Sequence, residues 1–121
     1  CLGPGAKGLK AKSLKEIMEE ELERALKDMP DQISRVTLAI ERAEAKCTEA
    51  NIDLLPVVAA LVIITLKEQQ KLDDPDLYLD HINNEHTLPQ QAVKETRAIV
   101  HAYLAGDKQN KAVPIINELL T

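Results

Sequence analysis

The stretch LLPVVAALVIITL, residues 54–66, decides the fold because it is apolar on all sides. Apart from Pro56 and Thr65, every residue in it is aliphatic. As a helix this run would span roughly 20 Å, which is well short of the roughly 30 Å hydrocarbon layer of a membrane. We therefore predict that a helix from Leu54 to about Leu72 lies at the centre of an all-α bundle, covered by amphipathic neighbours.

The sequence on both sides of this run is amphipathic at helical spacing. Apolar side chains recur every three or four residues, which places them on one face of each helix. No useful strand-type alternation interrupts this pattern. We expect a compact bundle of about five to six helices, bounded at about residues 13–28, 31–50, 54–72, 74–84, 88–105 and 111–120.

Residues with capping chemistry predict where these helices begin and end. Pro114 should lie in the first turn of the last helix, because a proline further inside would remove a hydrogen bond. The predicted caps are Ser13 with Glu16 as a capping box, Asp53, Asp73 or Asp74, and Thr87 at N-termini, and Gly106 at a C-terminus.

The chain divides into a leader and a helical domain. We expect residues 1–12 to be a flexible leader, part of which could derive from an expression vector, and residues 13–121 to form a single domain. The leader lacks the apolar core of a signal peptide, and two cysteines form no disulfide framework. A cytoplasmic protein with a buried Cys47 thiol is the default expectation.

The composition argues against several classes of function. The chain has no Phe or Trp, and Tyr78 and Tyr103 are its only aromatic residues, which disfavours stacking pockets. Its net charge of −5 comes without a dense basic face, which argues against nucleic acid as a partner. We expect no cofactor and no insertion into a membrane.

One pattern could hold a divalent metal ion. His81 and Glu85 are four residues apart and would share one helix face, and His86 follows directly. The zinc motifs His-Glu-x-x-His and His-x-x-Glu-His have a different spacing, so a third ligand would have to come from elsewhere. The alternative is a polar helix end in which Glu85 and His86 are solvated.

Two further polar patterns have simpler alternatives. Residues 16–23 contain overlapping Glu-x-x-Glu pairs, which are similar to the magnesium-binding pairs of helical nucleotide pyrophosphohydrolases of the MazG type. The second pair of that family, Glu-x-x-Asp, is missing, and Glu41-x-x-Glu44 is its nearest counterpart, so a solvated helix face is the simpler interpretation. Arg97 and His101 lie one turn apart, and we expect Arg97 to pair with an acidic residue of the segment 73–85.

These observations favour a non-catalytic helical module that binds another protein or forms a homodimer through its first two helices. The alternatives are a metal-dependent helical enzyme or metal-binding domain that uses His81 and Glu85, and a DNA-binding regulator with a helix-turn-helix in residues 88–120. The predicted interaction surface is the heptad-like seam of the first two helices: Leu14, Met18, Leu22, Ile33, Val36, Ile40, Ala43 and Cys47.

Overall fold

The fold is an all-α bundle, as the sequence predicts. The protein is represented by a computed structural model that describes residues 12–121, so residues 1–11 of the predicted leader lie outside the described range. No strand occurs within that range. The six helices are α1 Leu14–Ala25, α2 Pro30–Ala50, α3 Leu54–Glu68, α4 Pro75–His86, α5 Gln90–Ala105 and α6 Ala112–Leu120.

Helix α3 is the centre of the bundle. Every residue from Pro56 to Leu66 is buried, and α3 packs against all five other helices. A helix that is apolar on all sides needs such a complete cover, because each face left in water would forgo hydrophobic stabilisation. The predicted central helix is therefore confirmed.

Helix α3 ends at Glu68, earlier than the predicted Leu72. Gln70 adopts a left-handed conformation with φ 60°, and the Lys71 N–H donates to the Leu66 carbonyl. This arrangement closes the last turn and redirects the chain. Within residues 12–121, no helix combines the length and apolarity needed to span a membrane.

Most of the predicted caps are confirmed. The Ser13 and Glu16 side chains form a reciprocal capping box, with the Ser13 N–H donating to Glu16 Oε1 over 3.0 Å. Asp53 caps α3 by accepting the Leu55 N–H with its carboxylate, and Asp74 caps α4 by accepting the N–H groups of Asp76 and Leu77. Gly106 ends α5 with φ 74°, and Pro114 lies in the first turn of α6.

The boundary between α4 and α5 differs from the prediction. Helix α4 continues past Asn83 to His86, and Thr87 ends it in a left-handed conformation instead of capping the next helix. Helix α5 begins at Gln90, because Pro89 disfavours a helical conformation at Leu88. The Leu88 N–H is satisfied by the side-chain oxygen of Asn83 at 3.0 Å.

The residues predicted to form an interaction surface are buried or partly buried in this structure. Helices α1 and α2 both pack on α3, and its apolar surface covers their seam within one chain. Ile33 is partly buried against the same core. The buried members of the predicted surface are Leu14, Met18, Leu22, Val36, Ile40, Ala43 and Cys47.

Candidate functional site

The three candidate metal ligands all lie in the second half of α4. His86 Nε2 is 3.4 Å from Glu85 Oε1, whereas the exposed His81 side chain forms no hydrogen bond or ion pair within residues 12–121. In that same range, no three His, Cys, Asp or Glu side chains converge closely enough to hold one metal ion. The structure thus brings Glu85 and His86 together and leaves His81 apart from them.

A polar contact joins α4 to α1. The Tyr78 hydroxyl donates a 2.6 Å hydrogen bond to Glu21 Oε1, and Arg24 donates to the same oxygen. Burial raises the pKa of the Glu21 carboxyl, but the hydrogen bonds from Tyr78 and Arg24 outweigh it, and the pKa lies below its usual value. Sequence spacing does not reveal this contact, because 57 positions separate Tyr78 from Glu21.

Helices α4 and α5 are joined by four charged side chains, which we call the α4–α5 ion cluster: Asp76, Asp80, Arg97 and His101. Arg97 donates to Asp76 over 2.9 Å and to Asp80 over 2.8 Å, which confirms the predicted pairing of Arg97 with this acidic segment. His101 Nε2 lies 2.8 Å from Asp76 Oδ1. Burial raises the pKa of Asp76, but the hydrogen bonds from His101 and Arg97 lower it by a larger amount. The pKa of this carboxyl therefore lies below its usual value.

Two exposed leucines lie beside this ion cluster. Leu77 follows Asp76 directly and is 66% exposed, and Leu104 lies one turn beyond His101 and is 49% exposed. We call these two leucines and the ion cluster the α4–α5 surface. The third large apolar side chain that is exposed within residues 12–121 is Leu38 on α2, which is 55% exposed.

The acidic stripe of α1 serves several separate purposes. The Glu16 carboxylate belongs to the capping box, and Glu20 pairs with Lys12 over 2.8 Å. Glu19 pairs with Lys15 over 3.1 Å, and both side chains line a groove between α1 and α2 together with Glu41 and Glu44. The groove therefore takes one carboxylate from α1 and two from α2.

The predicted helix-turn-helix corresponds to α5 and α6. The side chains of α6 that point into the core are Ala112, Val113, Ile116 and Leu119. Its exposed residues include Pro114, Asn117 and Glu118, and Glu118 pairs with Lys46 of α2. A helix that reads DNA exposes donors to bases and phosphates, and none of the α6 residues is basic.

Comparison with known proteins gives no match: no protein-family model, no curated protein and no solved structure is significantly similar to this chain.

Proposed function

We propose that this chain is a non-catalytic helical module that binds another protein through the α4–α5 surface. The observation that carries the proposal is the exposure of Leu77 and Leu104 beside one ion cluster. Within residues 12–121, every other large aliphatic side chain except Leu38 is buried or partly buried. Apolar side chains that stay exposed beside a polar rim are typical of sites where proteins bind each other.

The charges around Leu77 define the partner that would fit. Asp73 and Asp74 precede this leucine, and Asp80 lies one turn after it. Arg97 offsets part of this negative charge through its bonds to Asp76 and Asp80. A partner segment with one or two apolar side chains flanked by Lys or Arg would complement this surface in both shape and charge.

Affinity capture from the native host, compared across variants, tests the proposal. Leu77→Lys places a cation where we expect the apolar anchor, so it should remove proteins that the wild type retains. Leu38→Lys is the matched control, because Leu38 has similar exposure on a different helix. Proteins lost with Leu77→Lys and kept with Leu38→Lys would support the proposal. Proteins kept with Leu77→Lys would contradict it.

A homodimer through the first two helices, which the sequence also allows, is an alternative to binding through the α4–α5 surface. Because the seam of α1 and α2 is buried, a homodimer through these helices would have to use their outer faces, where Leu38 is exposed. Light scattering on purified protein tests this alternative. A dimer that Leu38→Lys converts to a monomer would favour self-association, whereas a monomer at high concentration would exclude it.

A metal-binding function is the second candidate, and the contact between His86 and Glu85 is the observation that favours it. If these side chains bind Zn²⁺ or Mn²⁺ in the folded state, the added metal raises the melting temperature. His86→Ala should then abolish the rise, while Tyr103→Phe, a change on α5, should leave it intact. A melting temperature that does not respond to metal would count against this function.

A further inference from the structure

A cleft separates the loop before α3 from α5 and from the start of α6. Its volume is about 370 Å³, which lies within the range of about 300–1,000 Å³ that is typical of small-molecule sites. The residues that line it come from three segments that are distant in sequence, around positions 51–57, 95–99 and 110–112. Only the folded bundle brings these three segments together.

The floor of the cleft is apolar. Val57 in the first turn of α3, Ile99 in the middle of α5 and Ala112 at the start of α6 line it, and all three are buried residues of the core. A hydrocarbon group of a ligand that lies on these aliphatic side chains is removed from water, which favours binding. Aromatic rings are absent from the lining, so an aliphatic group suits it better than a stacked ring.

The rim of the cleft carries charges of both signs. Asp53, Glu95 and Lys111 line the same cleft, yet no ion pair joins any two of them. Asp53 Oδ1 accepts the Leu55 N–H and Glu95 Oε2 accepts a hydrogen bond from Gln91, which leaves the second oxygen of each carboxylate free of these bonds. Lys111 forms no ion pair within the described part of the chain, and it stands at the N-terminus of α6.

We propose that this cleft binds a small zwitterion with an aliphatic side chain, of the class of the aliphatic α-amino acids. The ammonium group of the ligand faces Asp53 and Glu95, and its carboxylate faces Lys111. The aliphatic side chain lies on Val57 and Ile99. Charges of both signs that line one cleft without pairing with each other match a ligand that carries both charges on one small molecule. This site is separate from the α4–α5 surface, so it can be tested independently of the proposed function.

Three matched probes test this assignment by NMR, with the methyl signals of Val57 and Ile99 as the readout. The probes are L-leucine, 3-methylbutylamine, which lacks the carboxylate, and 4-methylpentanoate, which lacks the ammonium group. We expect saturable shifts with leucine and binding about tenfold weaker for each of the other two probes, which corresponds to the loss of one charge-assisted contact.

Variants locate the binding to the cleft. Lys111→Met should weaken leucine binding about tenfold, whereas Lys108→Met, in the same loop and outside the cleft, should leave it unchanged. Ala98→Phe fills the cleft from its exposed edge and should abolish the shifts without disturbing the core.

Three outcomes would overturn the proposal. They are the absence of saturable shifts up to the solubility limit of leucine, equal binding of all three probes, and shifts that persist in Ala98→Phe.

Discussion

The hydroxyl of Tyr78 in α4 lies 2.6 Å from the carboxylate of Glu21 in α1 and donates a hydrogen bond to it. The Glu21 side chain is only 12% exposed, so its charge is largely withdrawn from water. A buried carboxylate is tolerated when hydrogen bonds replace its hydration, and here Tyr78 and Arg24 provide them. This contact joins the first helix to the short helix α4, although the backbones of the two helices do not pack closely.

Tyr78→Phe should lower the free energy of unfolding by about 1.5–3 kcal/mol, because hydrogen bonds to charged groups contribute about that much. The phenyl ring keeps the packing, and only the bond to Glu21 is lost. Urea unfolding measures the effect. Tyr103→Phe is the control, since the Tyr103 hydroxyl makes no hydrogen bond within residues 12–121. Equal stability of the Tyr78 variant and the wild type would show that the bond contributes nothing.

The same contact predicts how stability depends on pH. The pKa of Glu21 is lower in the folded state than in the unfolded chain. As the pH falls towards the usual value of 4.5, the unfolded chain therefore binds more protons than the folded protein does, and this favours unfolding. The stabilisation is therefore present above that pH and is lost as the pH falls through the folded pKa. In unfolding experiments between pH 7 and pH 3, the free energy of unfolding should fall less steeply with decreasing pH for Glu21→Gln than for the wild type. If the free energy of unfolding fell equally steeply in both proteins, the Glu21 carboxylate would not be the source of the pH dependence.

The α4–α5 ion cluster should contribute modestly to stability. Arg97→Met removes the bonds to both Asp76 and Asp80, and we expect a loss of about 1 kcal/mol, since partly exposed ion pairs contribute little. At about 1 M salt the loss should shrink, because charges are screened over about 3 Å. Lys94→Met, on the same helix and without an ion pair in residues 12–121, should change stability by less than about 0.5 kcal/mol. Equal losses in both variants would exclude a specific role for the cluster.

Two neighbouring residues of α2 test whether its seam belongs to the core. Ile40 is buried and Leu38 is exposed. Ile40→Ala should cost about 2–5 kcal/mol through lost burial and the cavity that it leaves, whereas Leu38→Ala should cost less than about 0.5 kcal/mol. Both are measured on the dilute protein by thermal or urea unfolding. Similar costs for the two variants would mean that α2 packs differently from the structure.

Two buried threonines predict stabilising substitutions. The hydroxyls of Thr65 and Thr96 are buried and have no hydrogen-bonding partner in the described part of the chain. Valine has nearly the same shape without the polar atom, so Thr65→Val and Thr96→Val should each raise the free energy of unfolding by about 1 kcal/mol. Thr48→Val is the control, because the Thr48 hydroxyl donates to the Glu44 carbonyl at the surface. A loss of stability in both core variants would indicate that the hydroxyls are satisfied in solution.

Part of the site was predictable from the sequence. The pairing of Arg97 with an acidic residue of the segment 73–85 follows from charge alone, since the segment offers several carboxylates and few cations. The antiparallel packing of α4 on α5 decides which carboxylates accept hydrogen bonds from Arg97. It also brings His101 to Asp76. The exposure of Leu77 also depends on this packing. From the sequence alone, an apolar residue in a short amphipathic helix is expected to face the core.

By itself the sequence determined the helices, their central member and most of their caps, because helical periodicity and capping depend on residues within a few positions of each other. The tertiary structure decided what each apolar face packs against. It assigned the seam of α1 and α2 to α3 within one chain, brought Tyr78 to Glu21, and opened a charged cleft between α3, α5 and α6. These outcomes depend on how the helices are arranged in space, and contacts between residues distant along the chain leave no periodic signal in one sequence.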